Sequence, residues 1–180
     1  MESKKFIHLK RLTGSAQFLT LALVLPFFTG QVPEIGNMLC PMHIPVLICG
    51  MVYGPLWGGA VGFIAPLLRY IIFGMPPIYP TGVSMAFELL AYGVVAGLMI
   101  YLLPKKLPFV YVSLVTSMLL GRVVWAGVRT LITVFGGAPF TFEIFLVEGF
   151  ANALPAIIVQ IAIIPPIVFA LRKARLDCRI

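Results

Sequence analysis

Four glycines spaced four residues apart constrain this chain more than any other feature. They lie in an apolar run over residues 37–80 and are Gly50, Gly54, Gly58 and Gly62. On a helix, glycines at this spacing form a flat strip along which a neighbouring backbone can approach closely. Because Pro55 cannot continue a helix from the preceding turn, the run predicts two short helices that meet at a tight turn.

The composition places the chain in a membrane. Apolar residues make up 61% of the 180 residues and charged residues only 11%, and the mean hydropathy is +1.06. Soluble domains carry about 25% charged residues, so this surface is not that of a soluble protein. The length suits one domain, and we treat residues 1–180 as a single integral membrane unit.

The net charge of +7 is concentrated at the two ends of the chain and in one connection. The residues responsible are Lys4, Lys5, Lys10, Arg11, Lys105, Lys106, Arg172, Lys173, Arg175 and Arg179. Such clusters follow the positive-inside rule and suit the anionic headgroups of a lipid bilayer. This placement argues against nucleic acid as a partner.

Six apolar segments predict an all-α membrane protein, a compact bundle of six transmembrane helices. They cover residues 13–31, 44–53, 58–74, 83–103, 109–135 and 143–171. The second is shorter than the roughly 17–25 residues that a spanning helix needs, and the third is only just long enough. Short segments interrupted by Gly or Pro are typical of binding regions in membrane proteins.

Six crossings would place both termini on the same side, and the basic clusters make that side cytoplasmic. The connections 32–43, 75–82 and 136–142 contain no Lys or Arg and are therefore expected outside. Their Pro and Gly residues suit ordered caps rather than flexible tails.

Ionisable residues remain inside the predicted spans. They are Arg69, Arg122, Arg129, Glu88, Glu143 and Glu148. A charge at the centre of a bilayer costs about 2.5–3.5 kcal/mol, so such side chains normally face a protein interior or a cavity. Their positions along the predicted helices place most of them in the outer half of the bilayer, with Arg122 about midway. The simplest alternative is that they pair with one another and only hold the bundle together.

Helical spacing groups several of these residues on common faces. One face carries Arg122, Trp125 and Arg129, a second carries Glu148 and Asn152, and a third carries Met85, Glu88 and Tyr92. Together they predict an outward-facing cavity for a polar molecule of vitamin size. An anionic group of that molecule would bind Arg129 or Arg122, because a guanidinium matches a carboxylate at two points.

Other roles are open for each candidate residue. Arg69 and Glu88 could form a pair between helices beside the site. His43 is interpreted as a hydrogen-bonding member of the outer cap rather than a metal ligand, since no second metal-type residue lies at a useful spacing. Trp125, Asn152 and Tyr92 could serve helix packing instead of ligand binding.

Several catalytic motifs are absent. The chain has no G-x-x-x-x-G-K-[ST] loop, no H-E-x-x-H pair, no G-x-S-x-G elbow and no Cys-x-x-Cys. We therefore expect neither an enzyme nor a cofactor, and a small membrane scaffold, a channel or a lipid-acting enzyme is the more remote alternative. Energy for uphill transport would have to come from a partner or an ion gradient.

Two motifs and the helix pattern resemble one family. The second helix is preceded by Pro-Met-His-Ile-Pro-Val at residues 41–46, and an outer loop reads Gly-Met-Pro-Pro at residues 74–77. Together with six short helices and basic residues on the cytoplasmic side, these motifs make the chain resemble the substrate-binding S components of energy-coupling factor (ECF) vitamin transporters. The resemblance extends from about Thr13 to Leu171.

The resemblance implies a mechanism and partners. S components bind a vitamin or its precursor from outside, then associate with an EcfT-like membrane scaffold and two cytoplasmic ATPases in the bacterial plasma membrane. Family members present an Ala-x-x-x-Ala strip to the scaffold, and Ala16 and Thr20 are the nearest equivalent here. The motif at 41–46 is similar to members for pantothenate, or for a pyrimidine or pyridoxine-type precursor, and the paired arginines favour pantothenate.

Overall fold

The described part of the protein consists of helices joined by short connections. A computed structural model describes residues 2–29, 40–104, 106–136, 147 and 154–174. Within these ranges the α-helices are α1 (Glu2–Val24), α2 (His43–Tyr53), α3 (Pro55–Phe73), α4 (Val83–Leu102), α5 (Leu107–Gly136) and α6 (Leu154–Lys173). A 3-10 helix, Leu25–Thr29, extends α1, and an irregular helical turn, Ile78–Gly82, leads into α4. The predicted all-α class is confirmed.

Five of the described helices are long and apolar enough to cross a membrane. The exception is α2, whose 11 residues extend only about 16 Å at 1.5 Å per residue. The prediction of six crossings is therefore not confirmed. The shortness of α2 agrees with the sequence, in which residues 44–53 already fall below the length of a span.

The short helix α2 lies at the centre of the bundle. Ten of its eleven residues are buried. It packs against α1, α3, α4 and α6. This burial explains why its sequence is apolar around most of the helix, since nearly every side chain of α2 packs against neighbouring helices.

Glycines bring α2, α3 and α4 into direct backbone contact. A Cβ atom at Gly58 would overlap the backbone of Gly50, and one at Gly93 would overlap the backbone of Gly58. Gly62 lies against the carbonyl of Leu89 in the same way. Because apolar burial does not drive helices together inside lipid, this close packing is a principal source of bundle stability. The predicted role of the glycine strip is confirmed at these positions.

The predicted break at Pro55 is also confirmed. Helix α2 ends at Tyr53, and Pro55 is the first residue of α3. Between them Gly54 has a φ of 103°. Residues with a side chain rarely adopt this conformation, so glycine permits the tight turn.

The main difference from the predicted boundaries is in α1. Hydropathy predicts a helix over residues 13–31, whereas α1 begins at Glu2 and the 3-10 helix ends at Thr29. Hydropathy detects the part of a helix that fits the hydrocarbon. A helix satisfies its own backbone hydrogen bonds, so it can continue through the basic residues into the polar interface.

The outer surfaces of the long helices are apolar. Exposed side chains include Leu56 and Ile71 on α3, Val134 and Phe135 on α5, and Phe169 on α6. A soluble protein rarely exposes apolar surface on this scale. These faces are suited to contact with lipid chains, as expected for a multi-pass membrane protein.

Candidate functional site

A buried carboxylate, Glu88 on α4, lies at the centre of a polar cluster. Its Oε1 is 3.0 Å from Arg122 Nη1 on α5 and accepts a 3.0 Å hydrogen bond from the Tyr92 hydroxyl, one turn further along α4. His43 Nε2 on α2 lies 3.7 Å from the same oxygen. Glu88 is only 3% exposed. Three helices therefore contribute to a charge-paired cluster inside the bundle, and the sequence had assigned all four residues to the site.

His43 owes its position to the short length of α2, of which it is the first residue. Its backbone N–H donates to the Cys40 carbonyl at 3.0 Å, and its Nδ1 lies 3.2 Å from the same oxygen. The imidazole ring also packs against Tyr92, with 5.2 Å between ring centroids. The positive end of the α2 dipole consequently lies beside Glu88, an arrangement typical of helices that begin within a membrane protein.

Cys40, just before α2, also borders the cluster. Its sulfur is within hydrogen-bonding range of the Arg122 side chain. Burial raises the pKa of the Cys40 thiol to about 11, while the nearby Arg122 guanidinium acts in the opposite direction. The thiol is therefore protonated at neutral pH. Within the described ranges, no three His, Cys, Asp or Glu side chains form a group that could hold a metal ion.

A cavity of about 100 Å³ adjoins this cluster. Its walls are mainly apolar and come from α2, α4, α5 and α6: His43, Tyr92, Val115, Met118, Leu119, Arg122, Ala156, Ile157, Gln160 and Ile161. Gln160 on α6 is 2% exposed. Two buried polar atoms of the lining, Gln160 Oε1 and His43 Nε2, have no hydrogen-bond partner among the described residues.

The predicted face of α5 is only partly in the cavity. Arg122 lines it, and the Arg122 guanidinium lies 5.9 Å from the centre of the Trp125 ring, a cation–π contact. Arg129 is half-buried, two turns beyond Arg122, and is not part of this lining. Seven residues of helix separate the two arginines by about 10 Å along the axis.

Arg69 lies at a different place, beside the C-terminal end of α3 and the 3-10 helix that extends α1. Its Nη1 donates a 2.9 Å hydrogen bond to the Leu23 carbonyl. The guanidinium also lies 5.5 Å and 5.7 Å from the ring centres of Phe27 and Phe73. The possible pair of Arg69 with Glu88 is not formed. Glu88 pairs with Arg122, and Arg69 contacts a backbone carbonyl and two aromatic rings.

Other predicted residues are on α1 or outside the described residues. Ala16 and Thr20 lie on the exposed face of α1, where the Thr20 hydroxyl donates to the Ala16 carbonyl at 3.0 Å. The opposite face of α1, including Gly14 and Ser15, is buried. Glu143, Glu148 and Asn152 lie outside the described residues.

Sequence reasoning missed Gln160 and gave Cys40 no role. Gln160 is the single amide in the apolar segment Ile157-Ile158-Val159-Gln160-Ile161-Ala162-Ile163-Ile164. A lone amide within a spanning helix indicates a residue that faces the protein interior or a cavity, because an unsatisfied polar group in hydrocarbon costs free energy. For Cys40, the sequence contains no comparable signal.

Apolar outer faces, five described helices of spanning length and a mainly apolar cavity beside a polar cluster define a multi-pass membrane protein with a cavity for a small molecule. The family model for the substrate-specific component of ECF transporters matches residues 10–168, so the chain belongs to this family. Its members are transporter subunits rather than enzymes, and they act on a small-molecule substrate together with an ECF module. A search of curated proteins finds no similar sequence.

Proposed function

We propose that this protein is the substrate-capture subunit of an ECF-type importer, and that it binds a vitamin or vitamin precursor from outside the cell. The observation that carries the proposal is the buried cluster of Glu88, Arg122, His43 and Tyr92 against an enclosed cavity. Such a concentration of ionisable groups inside a membrane bundle is costly, and it is usually retained for function. Membership of the family supports the same role.

Pantothenate is our proposed substrate. Its carboxylate would bind the guanidinium of Arg129 or Arg122, because a guanidinium matches a carboxylate at two points. Glu148 and Asn152, which the sequence places on one face of the last helix, remain proposed contacts. Hydroxymethylpyrimidine, pyridoxine or pyridoxamine, and riboflavin are the alternative substrates, because a ring with donor groups would also suit the carboxylates.

The proposed partners are an EcfT-like scaffold and two cytoplasmic ATPases in a bacterial plasma membrane, with both termini of this chain in the cytoplasm. The exposed position of Ala16 and Thr20 on α1 supports this face as the surface for the scaffold. An Ala16→Leu variant should bind substrate normally but lose uptake when it is co-expressed with the partner subunits. Normal uptake by this variant would refute the docking face.

The identity of a co-purifying ligand tests the substrate directly. The protein is purified in mild detergent without added vitamin, and small molecules released by denaturation are identified by mass. We expect one of the named vitamins or precursors at close to one molecule per chain. Release of lipid alone from protein that no named vitamin stabilises would contradict the proposal, since a ligand at 100 times its Kd adds about 2.7 kcal/mol of stability.

A further inference from the structure

Two buried polar atoms of the cavity lining, Gln160 Oε1 and His43 Nε2, have no hydrogen-bond partner among the described residues. Resting on the proposed function above, we infer that this cavity receives an uncharged group of the substrate, which donates hydrogen bonds to Gln160 Oε1 and His43 Nε2. Gln160 is then a specificity-determining residue. Any carboxylate of the substrate stays outside the inner cavity.

The first support is the state of Gln160. Its side chain lines the cavity, is almost fully buried, and its Oε1 has no donor among the described residues. Buried polar atoms in native proteins are nearly always hydrogen-bonded, and an exception calls for a physical explanation. A donor that arrives with the substrate supplies the missing partner.

The second support is the orientation of His43. Its Nδ1 lies 3.2 Å from the Cys40 carbonyl, an oxygen that can only accept, so Nδ1 is the donor. A neutral imidazole with its proton on Nδ1 has a lone pair on Nε2. The 3.7 Å from Nε2 to Glu88 Oε1 is too long for a hydrogen bond. In its neutral form, His43 therefore presents an acceptor, as Gln160 does.

The charge balance excludes an anion from this cavity. Glu88 and Arg122 lie 3.0 Å apart and neutralise each other. A second carboxylate here would be desolvated with no uncompensated cation to receive it, and it would be repelled by Glu88. The unpaired acceptors would repel it as well, because a carboxylate has no proton to donate to them.

The size of the cavity sets the extent of the group. At about 100 Å³ it is smaller than the roughly 300–1,000 Å³ of pockets that enclose a whole drug-sized ligand. Its walls include Val115, Met118 and Ile157, which favour a compact apolar body. A hydroxyl-bearing branched alkyl group or a small substituted ring has this size and this combination of apolar body and donors.

Gln160→Met separates a binding role from a structural one, because methionine keeps the length of the side chain and removes the amide. Wild type and variant are titrated in detergent with pantothenate, pyridoxine, hydroxymethylpyrimidine and riboflavin, and binding is followed by tryptophan fluorescence. For the compound that wild type binds, we expect the affinity of the variant to fall by about 10- to 100-fold. The melting temperature of the ligand-free variant should equal or exceed that of wild type, since an unsatisfied buried oxygen has been removed.

Ser113→Ala is the matched control. Ser113 is fully buried on α5 and donates a 3.1 Å hydrogen bond to the Ala96 carbonyl, away from the cavity lining. This variant should melt at a lower temperature and bind with unchanged affinity. If Gln160→Met behaves in the same way, with affinity within threefold of wild type, the inference is overturned while the proposed function stands. If wild type binds none of the four compounds, the proposed function fails and the inference fails with it.

Discussion

Replacing Glu88 by glutamine should destabilise the protein strongly, although the two side chains have nearly the same shape. Glutamine can still accept the hydrogen bond from the Tyr92 hydroxyl. It removes the negative charge that lies 3.0 Å from Arg122 Nη1, so the guanidinium is left buried without a counter-charge. Removing one member of a buried ion pair typically costs about 3–5 kcal/mol. Glu88 is 3% exposed and Arg122 9%, so water can compensate for little of this loss. We expect a fall in unfolding free energy within that range.

The assay is reversible unfolding in mixed micelles, with the double variant Glu88→Gln/Arg122→Met as control. Replacing both charges removes the unpaired cation, so the double variant should be more stable than Glu88→Gln alone. The resulting coupling energy isolates the pair from general effects of substitution at position 88. A Glu88→Gln protein within about 0.5 kcal/mol of wild type, the scatter of substitutions away from special features, would refute a buried ion pair at this site.

Three further substitutions or conditions test separate parts of the structure. Gly93→Ala should prevent close packing of α3 and α4 and yield aggregated protein on size-exclusion chromatography, whereas Gly127→Ala, with open space around it, should yield wild-type material. Arg69→Met should lower the unfolding free energy by about 1–3 kcal/mol by removing a charged donor and two cation–π contacts, with substrate affinity unchanged; a loss of affinity would return Arg69 to the site. Because the pKa of Cys40 is raised to about 11, its alkylation rate followed by peptide mass spectrometry should still increase tenfold per pH unit from pH 9 to pH 10, and a plateau near pH 9 would contradict the raised value.

Local features of the sequence predicted much of the fold. The glycine spacing and Pro55 indicated the α2–α3 turn and the close packing, because both depend on backbone geometry that follows directly from residue type. The start of α1 was missed, because hydropathy measures the fit to hydrocarbon and not the extent of a helix. The six predicted crossings are not confirmed, because hydropathy does not distinguish α2, which is apolar and buried in protein, from a helix in contact with lipid.

Residues of the buried polar cluster were predictable from the sequence, but the pairs that they form were not. Helical spacing correctly grouped Glu88 with Tyr92 and Arg122 with Trp125. Pairing between helices depends on their rotation and depth, which spacing along one helix does not contain. The sequence therefore left open which arginine pairs with Glu88. Arg69, one possible partner, lies instead beside two phenyl rings from separate elements. Gln160 acquires its significance only from the cavity that it faces.

Direct titration tests most sharply whether the buried cluster serves substrate capture. Wild-type protein in lipid nanodiscs is titrated calorimetrically with pantothenate, pyridoxine, hydroxymethylpyrimidine and riboflavin in turn. We predict saturable binding of one of them, with a stoichiometry near one and a Kd of micromolar or below. The folded state of the protein is first verified by a cooperative unfolding transition. If none of the four compounds then gives a saturable heat of binding, the result would contradict a vitamin-binding role for the cluster of Glu88, Arg122, His43 and Tyr92.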